Sequence, residues 1–351
     1  MNAIRILVVD DAVVARRIIS DILVAEDDFE VVGTAPNGRL ALEKIARLKP
    51  DIVTLDIDMP ELDGMETLSA IRSDHPEVRV IMVSSHTRRG AAITVDALFA
   101  GAADYVTKAQ GANTYEEART VLREQLAPKI RAIVSRTGSA SRKVSAAHAS
   151  FAPPTDAEPI EVVVIGSSTG GPNALTTILK AIPADFPVPV LIVQHLPENF
   201  TTFLAKRLDA ACALPVREAS KGASVEAGTV WIAPGNLHLE TQSTDRGIRL
   251  STNDGPLVNS CRPAADILFQ AAAECYGPSV LAVVLTGMGQ DGLDGCRAIS
   301  AAGGRVIVQD RDSSVVWGMP GQVAGAGLAE SVLPVTDIGA EIVRRVKDSR
   351  R

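Results

Sequence analysis

The stretch Gly166-Ser167-Ser168-Thr169-Gly170-Gly171 concentrates more potential chemistry than any other in this chain. It follows an apolar run, Val162-Val163-Val164-Ile165, which reads as a buried strand. It precedes Pro172-Asn173-Ala174-Leu175-Thr176-Thr177-Ile178-Leu179, which reads as a helix with proline near its first turn. A strand, a glycine turn and a helix set one small polar side chain at the carboxyl edge of a sheet, facing the amides of a helix start. Such a turn either cradles a phosphate or presents a nucleophile, because Gly166 to Gly170 spells G-x-S-x-G around Ser168.

A serine nucleophile needs a base within hydrogen-bond reach and a third group to orient that base. Of five histidines, His75, His86 and His148 fall in the first 150 residues, leaving His195 and His238. His195 directly follows the buried run Val190-Leu191-Ile192-Val193-Gln194 and so stands at the next strand end. Adjacent parallel strands lie about 5 Å apart, close enough for His195 to meet Ser168. His238, in Ala233-Pro234-Gly235-Asn236-Leu237-His238, reads equally well as a hydrogen-bonded loop histidine between two short strands. The strongest remaining strand, Val280-Leu281-Ala282-Val283-Val284-Leu285, runs into Thr286-Gly287-Met288-Gly289-Gln290-Asp291-Gly292. Asp291 there either orients His195 or caps the following helix. Taken together with Ser168 and His195, the triad is the better reading. Thr169 and the Met288 amide are candidate oxyanion donors or supports. The order Ser168, His195, Asp291 differs from the Ser, acid, His order of lipase-like hydrolases.

A second set of reactive residues lies near the N-terminus. Asp10-Asp11, Asp56, Ser84-Ser85 and Lys108 each follow or end a short apolar run. Three carboxylates converging on one sheet edge repel each other unless a cation sits among them, and a hard divalent ion such as Mg²⁺ suits them. With Lys108 neutralising developing charge, this set fits phosphoryl transfer onto Asp56.

The elements that must position these residues are readable as alternating patterns. Ile6-Leu7-Val8-Val9, Val31-Val32, Ile52-Val53-Thr54-Leu55, Val80-Ile81-Met82-Val83 and Tyr105-Val106 alternate with amphipathic segments, such as the face Ile18, Ile19, Ile22 and Leu23. Five β-α units predict a doubly wound parallel sheet of the flavodoxin type over residues 1–123, with functional groups at the strands' carboxyl ends. Residues 113–136 read as one amphipathic helix with Leu122, Leu126, Ile130 and Ile133 on one face. Thr137 to Pro159 reads as a flexible connector, so 124–159 is taken as a helical extension and linker. Its Arg131, Arg136, Arg142 and Lys143 lack aromatic partners, and His148 is assigned no role. Residues 160–351 are expected to form a second doubly wound, mostly parallel α/β domain.

Composition narrows the function further. A length of 351 residues suits two domains with cores of their own. A net charge of −7 gives no general hold on phosphate backbones, which argues against nucleic acid. No apolar run approaches a membrane span, and the opening Met1-Asn2-Ala3-Ile4-Arg5 is no signal peptide. Cys212, Cys261, Cys275 and Cys296 form no C-x-x-C pair and read as free thiols of a cytoplasmic protein.

Residues 4 to about 123 resemble the receiver domain of two-component response regulators, through Val8-Val9-Asp10-Asp11, Leu55-Asp56-Ile57-Asp58-Met59-Pro60 and Thr107-Lys108. That resemblance implies phosphorylation of Asp56 from a CheA-type histidine kinase, Mg²⁺ on Asp10 or Asp11 with Asp56, and Ser84 with Tyr105 as a switch pair. Ala109 departs from it, since proline usually follows the lysine. Residues 160 to about 346 resemble the chemotaxis protein-glutamate methylesterases, the CheB family. The carriers are Ile165 to Gly171, Val193-Gln194-His195-Leu196-Pro197, Ala233-Pro234-Gly235, Cys261-Arg262-Pro263, Leu285-Thr286-Gly287-Met288-Gly289, Asp291-Gly292 and Gly318-Met319-Pro320. The resemblance implies Ser168 as nucleophile, His195 as base and Asp291 as its orienter. It implies hydrolysis of glutamate γ-methyl esters on methyl-accepting chemoreceptor cytoplasmic helices, with deamidation of some receptor glutamines and no cofactor for the ester step. It also implies an unphosphorylated receiver that covers the site. Alternatives are the same esterase in a non-chemotaxis pathway such as surface sensing, or a phosphorylation-gated binding module. Gln290 and Gln322 depart from the family pattern. Arg262 is expected either to contact the receptor's acidic surface or to form a structural ion pair, and the turn glycines to let the ester approach Ser168.

Overall fold

The structure is a computed structural model that describes residues 3–85, 87–108, 114–134 and 158–351. His86, Ala109, Arg136, Arg142, Lys143, His148 and the connector from 137 through 157 lie outside the described residues. The chain divides into two compact units, Met1–Arg142 and Lys143–Arg351.

In the first unit the five expected strands alternate with five helices. In chain order they are β1 (Ile4–Val9), α1 (Val13–Val24), β2 (Phe29–Ala35), α2 (Gly38–Leu48), β3 (Ile52–Asp56), α3 (Gly64–Asp74), β4 (Arg79–Ser84), α4 (Arg88–Phe99), β5 (Asp104–Thr107) and α5 (Tyr115–Val134). All neighbours pair in parallel, in the order β2-β1-β3-β4-β5. The helix faces follow the apolar spacing: Ile18, Ile19, Ile22 and Leu23 of α1 are buried. Side-chain caps mark several of the helix starts. Asn37 accepts from Leu40 N on α2, and Asp63 with Glu66 forms a capping box on α3, each cap contributing about 1 kcal/mol. Helix α5 runs unbroken past residue 123, with Leu122, Leu126, Ile130 and Ile133 buried. Near its end Lys129 reaches Asp104 and Tyr105 O, and Arg131 reaches Asp28 and Glu26, so the extension packs on the first unit as far as Val134.

The second unit contains β6 (Val162–Ser167), α6 (Gly171–Lys180), β7 (Val190–Gln194), α7 (Phe200–Asp209), β8 (Val216–Glu218), β9 (Val230–Ile232), β10 (His238–Thr244), β11 (Gly247–Asn253) and α8 (Ala265–Tyr276). It continues with β12 (Val280–Val284), α9 (Leu293–Ala301), β13 (Arg305–Gln309), α10 (Met319–Gly325), β14 (Ser331–Leu333) and α11 (Val335–Asp348). Seven strands form one sheet in the order β14-β13-β12-β6-β7-β9-β8, every pair parallel. β10 and β11 form a separate antiparallel hairpin. The core strands β6, β7 and β12 are buried at every residue, which is why their sequences are continuously apolar rather than alternating.

Both sheets reverse their winding direction once. In the first, the reversal falls between β1 and β3; in the second, between β6 and β12. Ligand sites in open α/β sheets form at such a point, outside the carboxyl ends of the strands.

Candidate active site

The register of β6 against its two neighbours brings the second unit's residues together. Ser167 is opposite Gln194, and His195 N donates to Ser167 O at 3.0 Å, so His195 begins level with the Ser168 turn. On the other side Val284 is opposite Gly166, and Ser168 N donates to Thr286 O at 3.0 Å. The segment after β12 then carries Asp291 to the His195 ring, with His195 Nε2 2.7 Å from Asp291 Oδ2. Ser168 is partly exposed at this edge, while Asp291 is buried. Among the described residues no hydrogen bond joins the Ser168 hydroxyl to His195. The His195 Nδ1 instead lies 3.5 Å from Cys261 Sγ.

Two side chains that the sequence reading passed over hold the turn. Gln194, buried at the end of β7, accepts from Ser167 Oγ at 2.7 Å and donates from Nε2 to Ser168 O at 2.9 Å. Thr286, also buried, donates from Oγ1 to Thr169 O at 2.8 Å and accepts from Val316 N at 3.0 Å. Each is an uncharged polar residue closing an apolar strand, and that interruption is the signal that could have marked them. Buried groups of this kind must be hydrogen-bonded, and here their partners are the turn itself.

The glycines of the turn and beside it are required by close internal contacts. Gly170 has φ +79° and caps α6, and a Cβ there would meet Val315 at 2.5 Å. A Cβ on Gly171 would meet Gln194 Oε1, and one on Gly287 would lie 2.9 Å from Ser168 Cβ. At Gly287 the amide is used by Val316 O, whereas no hydrogen bond within the chain engages the amide of half-exposed Met288 among the described residues. Thr169 is buried with its carbonyl held by Thr286.

Asp291 does meet helix-start amides, but of a different helix from the one expected. α9 begins after Gly292 without a side-chain cap. Asp291 instead accepts from Ala265 N at 2.6 Å and Asp266 N at 3.1 Å, the first residues of α8. Burial alone would raise its carboxyl pKa; the His195 contact and these two amides outweigh that and hold it below the usual carboxylate range. For His195 burial opposes charge, but Asp291 and Cys261 together push it up to about 10. The sign fixes a test. Loss of the Cys261 contact removes stabilisation of the imidazolium, so in a Cys261→Ala protein the His195 ring is expected to titrate at lower pH than in the parent. Ring-proton NMR across pH 6–11 checks this; an unmoved titration contradicts the pairing.

His238 is not part of this site. It opens β10 rather than lying in a loop, is buried, and has both ring nitrogens engaged: Nε2 with Pro256 O at 2.8 Å and Nδ1 with Ala264 N at 3.3 Å. Arg262 forms no ion pair among the described residues. Its guanidinium donates to Asp254 O, Gly255 O and Asn236 Oδ1, clamping a loop. Gln290 Nε2 lies 3.4 Å from Asn259 Oδ1. Gln322 is exposed on α10.

In the first unit the acids gather at the β1/β3 reversal. Asp10, Asp11 and Asp56 each offer an oxygen within 4.8 Å of the others. Lys108 Nζ lies 3.0 Å from Asp10 Oδ2 and 2.9 Å from Asp56 Oδ2. Burial, then the Asp10 charge, raise the Asp56 carboxyl to about 6 despite Lys108. This excess of negative charge over one lysine, in oxygen donors alone, fits a hard divalent cation. Ser84 is buried at the end of β4 and accepts from Thr94 Oγ1 at 2.6 Å. Tyr105 is buried on β5 with Lys129 Nζ 4.9 Å from its ring centre. Among the described residues no helix is long and apolar enough to cross a membrane.

Comparison with known proteins matches residues 163–342 to the family described as CheB methylesterase and residues 6–119 to the response regulator receiver domain. A protein-glutamate methylesterase/protein-glutamine glutaminase of Trichodesmium erythraeum is 48% identical over 99% of this chain and 100% of its own length. One of the same description from Nocardioides sp. is 48% identical over 100% of this chain and 97% of its own. The crystal structure of the Thermotoga maritima CheB methylesterase catalytic domain aligns with a TM-score of 0.52 at 42% identity, covering 52% of this chain and 97% of that one.

Proposed function

Because the chain belongs to the CheB methylesterase family and carries a receiver domain ahead of the methylesterase domain, we propose that it hydrolyses glutamate γ-methyl esters on chemoreceptors and deamidates receptor glutamines, with the esterase activated by phosphorylation of Asp56. The observation that carries the esterase reading is the 2.7 Å contact of His195 Nε2 with Asp291 Oδ2, one strand position from Ser168.

In the proposed reaction Ser168 Oγ attacks the ester carbonyl carbon and gives its proton to His195. Nε2 faces Asp291, so Nδ1 is the nitrogen that takes this proton; the approach of Ser168 to it tightens when substrate displaces Cys261 from that nitrogen. Asp291 orients the ring and stabilises the imidazolium. The Met288 amide, with Thr169 beside it, stabilises the oxyanion of the tetrahedral intermediate. Its collapse breaks the C–O bond to methoxide, which takes the proton from His195 and leaves as methanol. Water then attacks the glutamyl-Ser168 ester, its proton passing to His195, and glutamate departs as Ser168 recovers its proton. With a primary amide in place of the ester, the same steps release ammonia.

In the receiver, Asp56 accepts the phosphoryl group from a CheA-type histidine kinase. Asp10, Asp11 and Asp56 would hold Mg²⁺, which when bound supplies charge neutralisation for that transfer. Lys108 neutralises the remaining charge, and Ser84 with Tyr105 responds to it. The phosphoryl group adds about −1.5 to −2 charges at this edge.

Methanol release from methylated receptor tests the reading. The expected result is a rate that a small-molecule phosphodonor with Mg²⁺ increases in the parent and leaves unchanged in Asp56→Asn. Absence of methanol refutes the esterase assignment; equal stimulation of Asp56→Asn refutes the role of Asp56.

A further inference from the structure

The turn Val258–Cys261 lies across the two ends of the His195–Asp291 pair. Val258 and Cys261 exchange both backbone hydrogen bonds, at 3.1 and 2.8 Å. The two residues between them, Asn259 and Ser260, have φ of +50° and +62°. Two successive left-handed residues define a hairpin turn that normally takes glycine, at least at its second position. Keeping Ser260 there costs conformational energy, and such cost collects where a side chain is being aimed.

The side chain so aimed is Asn259. Its Nδ2 lies 3.2 Å from Asp291 Oδ1 and 2.7 Å from Asp266 Oδ2. Asp266 is a second buried carboxylate, at the start of α8, whose other oxygen accepts from Gly295 N at 2.6 Å. Asp291 therefore has four donors: His195 and Ala265 N on Oδ2, Asp266 N and Asn259 on Oδ1. That fills a carboxylate's acceptor capacity.

We propose that Asn259 is a positioning residue for the esterase site, its carboxamide pinning Asp291 in line with His195 by bridging it to the buried Asp266. The proposal rests on the Ser168, His195, Asp291 reading. Two buried carboxylates repel, and the repulsion acts to turn Asp291 off the imidazole. Asn259 offers one amide hydrogen to each and removes that drive. The titratable groups facing the His195–Asp291 pair are Cys261 on the turn, Asp266 on α8, and Asp294 and Cys296 on α9, the Cys296 thiol being pushed up by burial and so uncharged. Burial first, and the neighbouring Asp291 charge, raise the Asp266 carboxyl to about 6, which agrees with a site crowded with negative charge.

The test compares full-length parent, Asn259→Gly, Asp266→Asn, the double variant and Ser168→Ala, by kcat, KM and the pH profile of kcat/KM on methylated receptor, alongside melting temperature. Glycine suits the left-handed backbone, so Asn259→Gly removes the carboxamide without disturbing the turn. The expected result is a kcat lower by about ten-fold with KM unchanged and an acid limb displaced upward, since Asp291 short of one donor holds the His195 proton harder. Asp266→Asn displaces the limb downward. In the double variant the repulsion is gone, so Asp266→Asn restores most of the kcat lost in Asn259→Gly. Parent kcat and an unmoved limb in Asn259→Gly overturn the proposal, as do losses in the double variant that simply add and track melting temperature. An active Ser168→Ala protein overturns the triad and this proposal with it; an inactive one confines any failure to Asn259.

Discussion

Replacing Ser168 with alanine is expected to lower kcat by about a million-fold, the size of effect seen when the nucleophile of a serine triad is removed. Little else in the protein should change. Ser168 is partly exposed, and its backbone, held by Thr286 O and Gln194 Nε2, does not depend on its hydroxyl. Alanine at this position keeps those bonds and the α6 start. Steady-state methanol release and a melting curve check both halves: activity lost, stability within about 0.5 kcal/mol of the parent. A fall in activity of only a few fold would mean that water attacks the ester directly and that Ser168 merely lines the site.

Asp291→Asn is expected to lower kcat by about ten-thousand-fold. The carboxamide matches the carboxylate in shape but presents a donor on one side. Asp291 accepts from four donors and donates to none, so the amide group must face either His195 with Ala265 N, or Asp266 N with Asn259 Nδ2. The first forces the imidazole into the wrong tautomer; the second opposes two N–H donors. The loss of charge also removes part of what holds His195 up near 10, so the pH profile should shift downward while the rate collapses. Kinetics across pH 6–11 separate this from a loss of fold, which would leave no profile at all. A rate within ten-fold of the parent would show that His195 needs no orienting carboxylate.

The strand-end residues of both units were legible in the sequence because each follows, within a few residues, a largely apolar run that reads as a buried strand. That pattern placed Asp10, Asp56 and Lys108 in one unit and Ser168, His195 and Asp291 in the other, and the parallel registers bring each set together. Residues that act from turns left no such trace. Asn259 and Cys261 reach the site through a hairpin whose left-handed backbone is not encoded by glycine, and Arg262 beside them turned inward onto carbonyl groups. Asp291 is a further instance. Its place before a helix suggested a cap for α9, but the helix it meets, α8, precedes it by 26 residues. Only tertiary packing supplies that partner. Gln194 and Thr286 were within reach, as polar residues closing buried strands, but their work is to tie the turn rather than to react.

In the proposed mechanism Ser168 carries the glutamyl group during turnover. Reaction of the full-length protein with a fluorophosphonate, followed by peptide mass spectrometry, tests it most directly. The prediction is one adduct per chain, on the peptide containing Ser168, forming at a rate that Asp291→Asn lowers and Ser168→Ala abolishes, with methanol release lost in proportion. An adduct on another residue that abolishes methanol release, or full methanol release from protein fully labelled at Ser168, would contradict it.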